Sequence, residues 1–109
     1  MFMRQVLFDP SRTWIAASFP DHVAIWRVAA LTDAPEKMIE WRSPGRFDFD
    51  PTGQIVALVS GNSLELRHIA TADSAMYYFD DTLGDVAFAS NGSLILVGDS
   101  RGRVHVLSP

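Results

Sequence analysis

Phe8-Asp9-Pro10-Ser11-Arg12-Thr13-Trp14-Ile15-Ala16 and Phe49-Asp50-Pro51-Thr52-Gly53-Gln54-Ile55-Val56-Ala57 are two copies of one pattern: an aromatic residue, an Asp-Pro turn and an apolar stretch. They lie 41 residues apart, and the match runs on without a gap to Val23-Ala24-Ile25-Trp26 over Leu64-Glu65-Leu66-Arg67. A third copy, Phe88-Ala89-Ser90-Asn91-Gly92-Ser93-Leu94-Ile95-Leu96, begins 39 residues after the second. One inserted residue then brings Val104-His105-Val106-Leu107 into line. A period of about 40 residues belongs either to stacked β-propeller blades or to a helical solenoid.

Local chemistry decides between the two. Each unit opens with an alternating segment that ends in a turn: Val6 and Phe8, Phe47 and Phe49, Val86 and Phe88. Proline after aspartate presets φ for a type I turn, and Gly53 and Gly92 supply a permissive backbone behind it. The next segment is apolar on both sides (Trp14 to Ala17, Ile55 to Val59, Leu94 to Val97), as a strand buried on both faces must be. Tight turns at Pro20-Asp21, Gly61-Asn62 and Ser100-Arg101-Gly102 lead into a third, alternating strand. More polar fourth strands are expected over Lys37 to Arg42 and Ala75 to Phe79. Between Ala29 and Lys37 there is room for a helical turn, which Pro35 keeps short.

A turn, an apolar strand and then Val-x-Ile-Trp at Val23 to Trp26 resemble the WD-repeat family, over nearly the whole chain. Trp26 takes the family's tryptophan position, with Arg27 where its aspartate would stand. The other two units read Arg67-His68 and Leu107-Ser108 there, and the family's glycine-histidine pair survives only as Pro44-Gly45 and Leu83-Gly84. The blades are therefore divergent, without the family's His-Ser-Asp-Trp hydrogen-bond network. What the resemblance implies is an all-β partial propeller of three tandem four-stranded antiparallel blades. The array fills residues 1–109 as a single unit, with blades at 4–43, 44–82 and 83–109, the last lacking its outer strand.

Propellers have about 4–8 blades, so three leave two apolar sheet faces and one strand edge in need of cover. Two remedies are expected. The chain self-associates, two copies making a six-bladed ring, or a subunit supplies further blades.

Composition excludes several function classes. With 48% hydrophobic and 20% charged residues, the 109-residue chain is that of one folded domain. A net charge of −4 and nine scattered Lys and Arg argue against nucleic acid, which needs a clustered basic surface. The longest apolar run, Ile55 to Val59, is far short of the ~20 residues of a membrane helix. Met1-Phe2-Met3 is not followed by a signal-peptide core, and cysteine is absent, so a cytoplasmic location is the expectation reached by elimination.

Gly98-Asp99-Ser100-Arg101-Gly102 matches the G-x-S-x-G nucleophile elbow, which needs a strand-to-helix turn with acid and histidine partners later in the chain, but here it joins two strands and only seven residues follow it. His22, His68 and His105 occupy different registers, which disfavours a shared metal. Asp9 and Asp50, each before proline, read as turn residues, and Asp80, Asp81 and Asp85 as a solvated acidic loop. Trp41, Tyr77, Tyr78 and Phe79 fall on rim strands, where packing is the ordinary role and partner anchoring the sharper one.

No cofactor and no metal are expected, and no enzyme. The resemblance implies a non-catalytic scaffold for protein–protein interaction or assembly, bound through the loops at one end of the ring. The candidate residues are Asp21, His22, Arg46, Asn62, Asp85, Asp99, Arg101 and Arg103. The competing class is a propeller enzyme or small-ligand sensor whose channel site, near Asp85, Arg46 and Arg4, is completed by oligomerisation.

Overall fold

β-Branched and aromatic residues in alternation, cut by Asp-Pro, Gly-Asn and Ser-Arg-Gly turns, fold into eleven short strands among the described residues. The computed structural model describes residues 3–31, 34–41 and 45–108. Met1 and Phe2, Arg42 at the end of the expected fourth strand, Pro44 of the Pro44-Gly45 pair, and Pro109 lie outside the described residues. The first sheet holds β1 (Gln5–Phe8), β2 (Trp14–Phe19), β3 (His22–Arg27) and β4 (Lys37–Glu40). The second holds β5 (Arg46–Phe49), β6 (Ile55–Ser60), β7 (Ser63–His68) and β8 (Ser74–Tyr78), and the third β9 (Leu83–Phe88), β10 (Ile95–Asp99) and β11 (Val104–Leu107). Within each sheet, strands pair antiparallel in chain order, so the arc is two four-stranded blades followed by a three-stranded one. Val28–Ala30 forms a single 3-10 turn, slightly ahead of the expected helical turn.

Contact between blades runs through β1–β5 and β5–β9, so the first strand of each blade lies where the blades converge. One core lies between the first and second sheets, around Ile25, Ile39, Phe47, Phe49 and Val56. Another lies between the second and third, around Val59, Leu64, Val86, Ile95 and Val97. β6 has the double burial expected of a second strand, Val56 and Ala57 on its opposite faces both at 0% exposure, and in β2 Ala16 and Ala17 are likewise buried on opposite faces. In β10, Ile95 and Val97 are buried, but Leu96 between them is 40% exposed because no fourth blade covers it.

Two further expectations change. Trp41 lies just past β4 and not on it, and it is buried, its indole Nε1 donating to the Phe19 carbonyl at 2.9 Å. Phe79 ends outside β8 and tilts against the His105 ring, 4.9 Å away across the blade interface. Side chains also stitch neighbouring first strands. The Gln5 amide donates to the Phe47 carbonyl at 3.0 Å and accepts its N–H at 3.2 Å, while the Asp48 carboxylate accepts the Phe88 N–H at 3.0 Å.

The turn after each first strand adopts a left-handed backbone at its fifth position. Gly53 and Gly92 both have φ +74°, and Arg12, which occupies the aligned place, is held at +60°. Its guanidinium lies 5.2 Å from the Phe8 ring centre, a cation–π contact that helps offset the strain. At Gly45 a Cβ would lie 1.6 Å from the Val59 carbonyl oxygen, so the chain enters the second blade through a gap only glycine fits.

Candidate functional site

Loops gather at one end because each hairpin turn between second and third strands is hydrogen-bonded to a connection next to it, the one leaving its blade in the first two and the one entering it in the third. Trp41 N–H reaches the Asp21 carbonyl (3.2 Å), Leu83 N–H the Gly61 carbonyl (2.7 Å) and Ser100 N–H the Thr82 carbonyl (2.8 Å). Asn62 and Phe79 are joined twice, through both their backbones and the Asn62 side-chain amide. Register adds the remaining residues: Arg46 pairs with Val59 and Asp85 with Gly98, both beside those turns. All eight sequence candidates thus lie at the same end of the arc, seven of them in three separate groups and Asn62 apart at the β6–β7 turn.

On the first blade, the His22 ring nitrogen Nδ1 contacts the Asp21 carboxylate at 2.6 Å, and the ring stacks on Phe19. Between the second and third blades, Arg46 and Asp85 form a loose, exposed pair at 3.8 Å. The third blade carries the densest group. Asp99 accepts the backbone N–H groups of Arg101 and Arg103, the Arg103 guanidinium and the His105 ring. Arg101 and Arg103 also clasp Asp81 from the preceding connection.

Asp99 differs in kind from its neighbours. Its side chain is fully buried, so its carboxylate is spent on holding the turn and is not presented to a partner. Asp81 likewise serves as a clasp between blades and not as part of a solvated loop. The sequence gives no direct sign of either role, because both depend on which side chains the hairpin folds back on.

Burial opposes ionisation of Asp99, but hydrogen bonds from His105, then from the Arg103 and Arg101 amides and the Arg103 guanidinium, hold its carboxyl well below the usual carboxylate range. A depressed folded-state value means stabilisation that is complete above the unfolded value of about 4 and lost as pH falls toward the folded one. Asp48 titrates the other way, pushed up by burial against the bonds from Phe88 and Phe49 and further by Asp85. Below about pH 4 the protein is therefore expected to lose stability more steeply than an Asp99→Asn variant does. Urea midpoints followed from pH 6 to pH 2 check this; parallel curves for the two proteins would contradict it.

The remaining candidates separate clearly. His22 and His105 sit on different blades and His68 is exposed, so the three imidazoles do not converge. Gly98 to Gly102 is the β10–β11 hairpin turn, with no strand-to-helix elbow. Of the proposed channel residues, Arg4 is exposed just ahead of β1, and Arg46 and Asp85 form the loose pair described above. One feature escaped the sequence reading: an open cleft of about 1050 Å³ between the first two blades, lined by Asp21, Glu40, Trp41, Asn62, Met76 and Tyr78. Of the rim aromatics, Tyr78 at 72% and Tyr77 at 41% exposure are the ones that show.

No family model matches the sequence, and no curated protein matches it. Among solved structures, 306 chains match, so the fold they share is too common to indicate a role. One is the β-propeller domain of Cps50 (Swd1) from Myceliophteria thermophila, with a TM-score of 0.80 at 12% sequence identity. The likeness covers 99% of this chain and 38% of that one. At such low identity it shows the fold alone: the chain is a partial β-propeller, spanning well under half of the domain it resembles.

Proposed function

We propose that this chain is a non-catalytic assembly module, a divergent WD-type propeller segment that acts as a scaffold for protein–protein interaction. The ring is completed by further blades, two copies of the chain giving six. One observation carries the reading: repeat positions that are buried between blades are bare at both ends of the arc. Val6 is 46% exposed where its counterpart Phe47 is 1% exposed, and Leu96 is 40% exposed where Ala57 is at 0%. Apolar surface of this kind is stabilised by removal from water, and a contiguous patch marks a binding face.

The loop end supports the scaffold role as a second contact surface. Asp21 and Asp85 alternate there with Arg46, Arg101 and Arg103, a mixture of signs suited to a polar protein interface and not to a phosphate backbone. Light scattering and native mass measurement test the assembly. The expected mass is twice the 12.1 kDa of one chain. A monodisperse monomer stable across the micromolar range would overturn the reading.

A further inference from the structure

Two blade interfaces exist inside this chain, and their chemistry is written position by position. The face that each blade turns toward the preceding one, its leading face, carries Val6 and Phe8 in the first blade, Phe47 and Phe49 in the second, Val86 and Phe88 in the third. The opposite, trailing face carries Ala16, Val23 and Ile25 in the first blade, Ala57, Leu64 and Leu66 in the second, Leu96, Val104 and Val106 in the third. Trailing meets leading at both internal junctions. There Phe47, Phe49, Val86, Val23, Ile25 and Leu64 are all at 5% exposure or less. At the ends of the arc the same positions stand at 46% for Val6 and Phe8, 65% for Val104 and 58% for Val106.

Polar groups follow the same register. At the first junction Gln5 reaches from the trailing side to the backbone of Phe47, and at the second Arg46, in the aligned place, reaches toward Asp85. The third blade offers Asp85 itself at that place, on its trailing side and 64% exposed. The backbone position it would meet on a leading face is that of Val6. Two residues before Val6, in the alternation of β1, stands Arg4, also exposed. The aligned residues before the second and third blades are Gly45 and Gly84, so this cation belongs to the bare leading face only.

We propose that the trailing face of the third blade, with Asp85, Leu96, Val104 and Val106, receives the leading face of the first blade, with Arg4, Val6 and Phe8, of a second copy of this chain. The proposal rests on the assembly reading above and adds its polarity and its contacts. Apolar residues cover apolar residues as they do at the two internal junctions, and Arg4 of one copy faces Asp85 of the other. Pairing like faces brings two Asp85 or two Arg4 side chains together, which opposes the symmetric alternatives. Head-to-tail contacts of this kind close when the rotation permits, here with two identical junctions related by the ring axis.

Charge exchange tests it, by native mass measurement of the full chain over a concentration series. Asp85→Arg and Arg4→Asp, each alone, place like charges at both junctions of a homodimer, and each is expected to weaken self-association by at least about tenfold. Mixing the two variants creates one junction with reversed charges and one with native charges, both complementary. The mixture is therefore expected to form a heterodimer selectively, an outcome that misfolded variants cannot produce. A dimeric wild type unaffected by either substitution, or no recovery on mixing, overturns this junction while leaving the assembly reading standing. A monomeric wild type overturns both.

Discussion

Replacing Phe49 with alanine is expected to cost about 3–5 kcal/mol of folding free energy, the ordinary range for a large aromatic side chain deleted from a packed core. Phe49 is 3% exposed, lies edge-on to Phe47 with ring centres 6.1 Å apart, and packs in the core between the first two blades. A domain of this size is held by roughly 5–15 kcal/mol, so such a loss leaves a protein that melts far earlier or not cooperatively. The same substitution at Phe8 is the informative comparison. Phe8 holds the identical place in the repeat, yet it is 46% exposed, with no blade of this structure packed against it. In a dilute, dissociated chain Phe8→Ala is expected to cost about 1 kcal/mol or less, in line with a half-exposed side chain. In an assembled ring the loss moves to association, so the dissociation constant rises while the stability of the separate chain hardly changes. Urea unfolding of both variants at low and high protein concentration separates these effects. Equal costs for Phe49→Ala and Phe8→Ala in the dissociated chain would mean that repeat position, and not the neighbouring blade, sets the burial.

That contrast also marks how far the sequence reaches. Phe8, Phe49 and Phe88 align because packing imposes the same requirement once per blade, and periodic requirements leave a periodic trace. The strands, the hairpin turns and the three-stranded last blade are legible for that reason. The Gln5 amide on the Phe47 backbone joins residues 42 apart, its aligned place in the second blade holds Arg46 instead, and nothing local to Gln5 announces the contact. Arg12 is similar. Its place asks for glycine, which the other two blades have, and arginine there is understood only once Phe8 is seen beneath its guanidinium. Asp99 was legible as a loop-end residue, but its burial was not, since His105 and Arg103 reach it by the fold of their own hairpin. The cleft between the first two blades depends on how far their rims splay, a property of the whole stack that no single segment encodes.

Asp9→Ala is expected to cost about 2–4 kcal/mol, because it strips a buried turn of acceptors that nothing nearby can replace. Asp9 is 1% exposed. One of its carboxylate oxygens accepts the Trp14 N–H at 2.6 Å; the other accepts the Ser11 N–H at 2.9 Å and the Ser11 hydroxyl. The turn is also pressed against the one in the next blade: a Cβ at Gly53 would lie 2.1 Å from Asp9 Oδ2. Water therefore has little room to stand in for the missing oxygens, and the Trp14 amide is left without a partner at the start of β2. Asp50 does the same work in the second blade, accepting the Gln54 and Ile55 N–H groups and the Thr52 hydroxyl. The third blade has Ala89 at this place and manages with Asn91, whose amide oxygen accepts the Ser93 N–H in an exposed turn. The protein thus contains its own control. Asn91→Ala is expected to cost no more than about 1 kcal/mol, since solvent can reach the freed groups. Asp9→Asn falls between the two, as one amide oxygen can keep the Trp14 bond but cannot also hold Ser11. If urea unfolding gave the same loss for Asp9→Ala and Asn91→Ala, the repeated aspartate would be a turn preference and not a buried acceptor that holds its turn together.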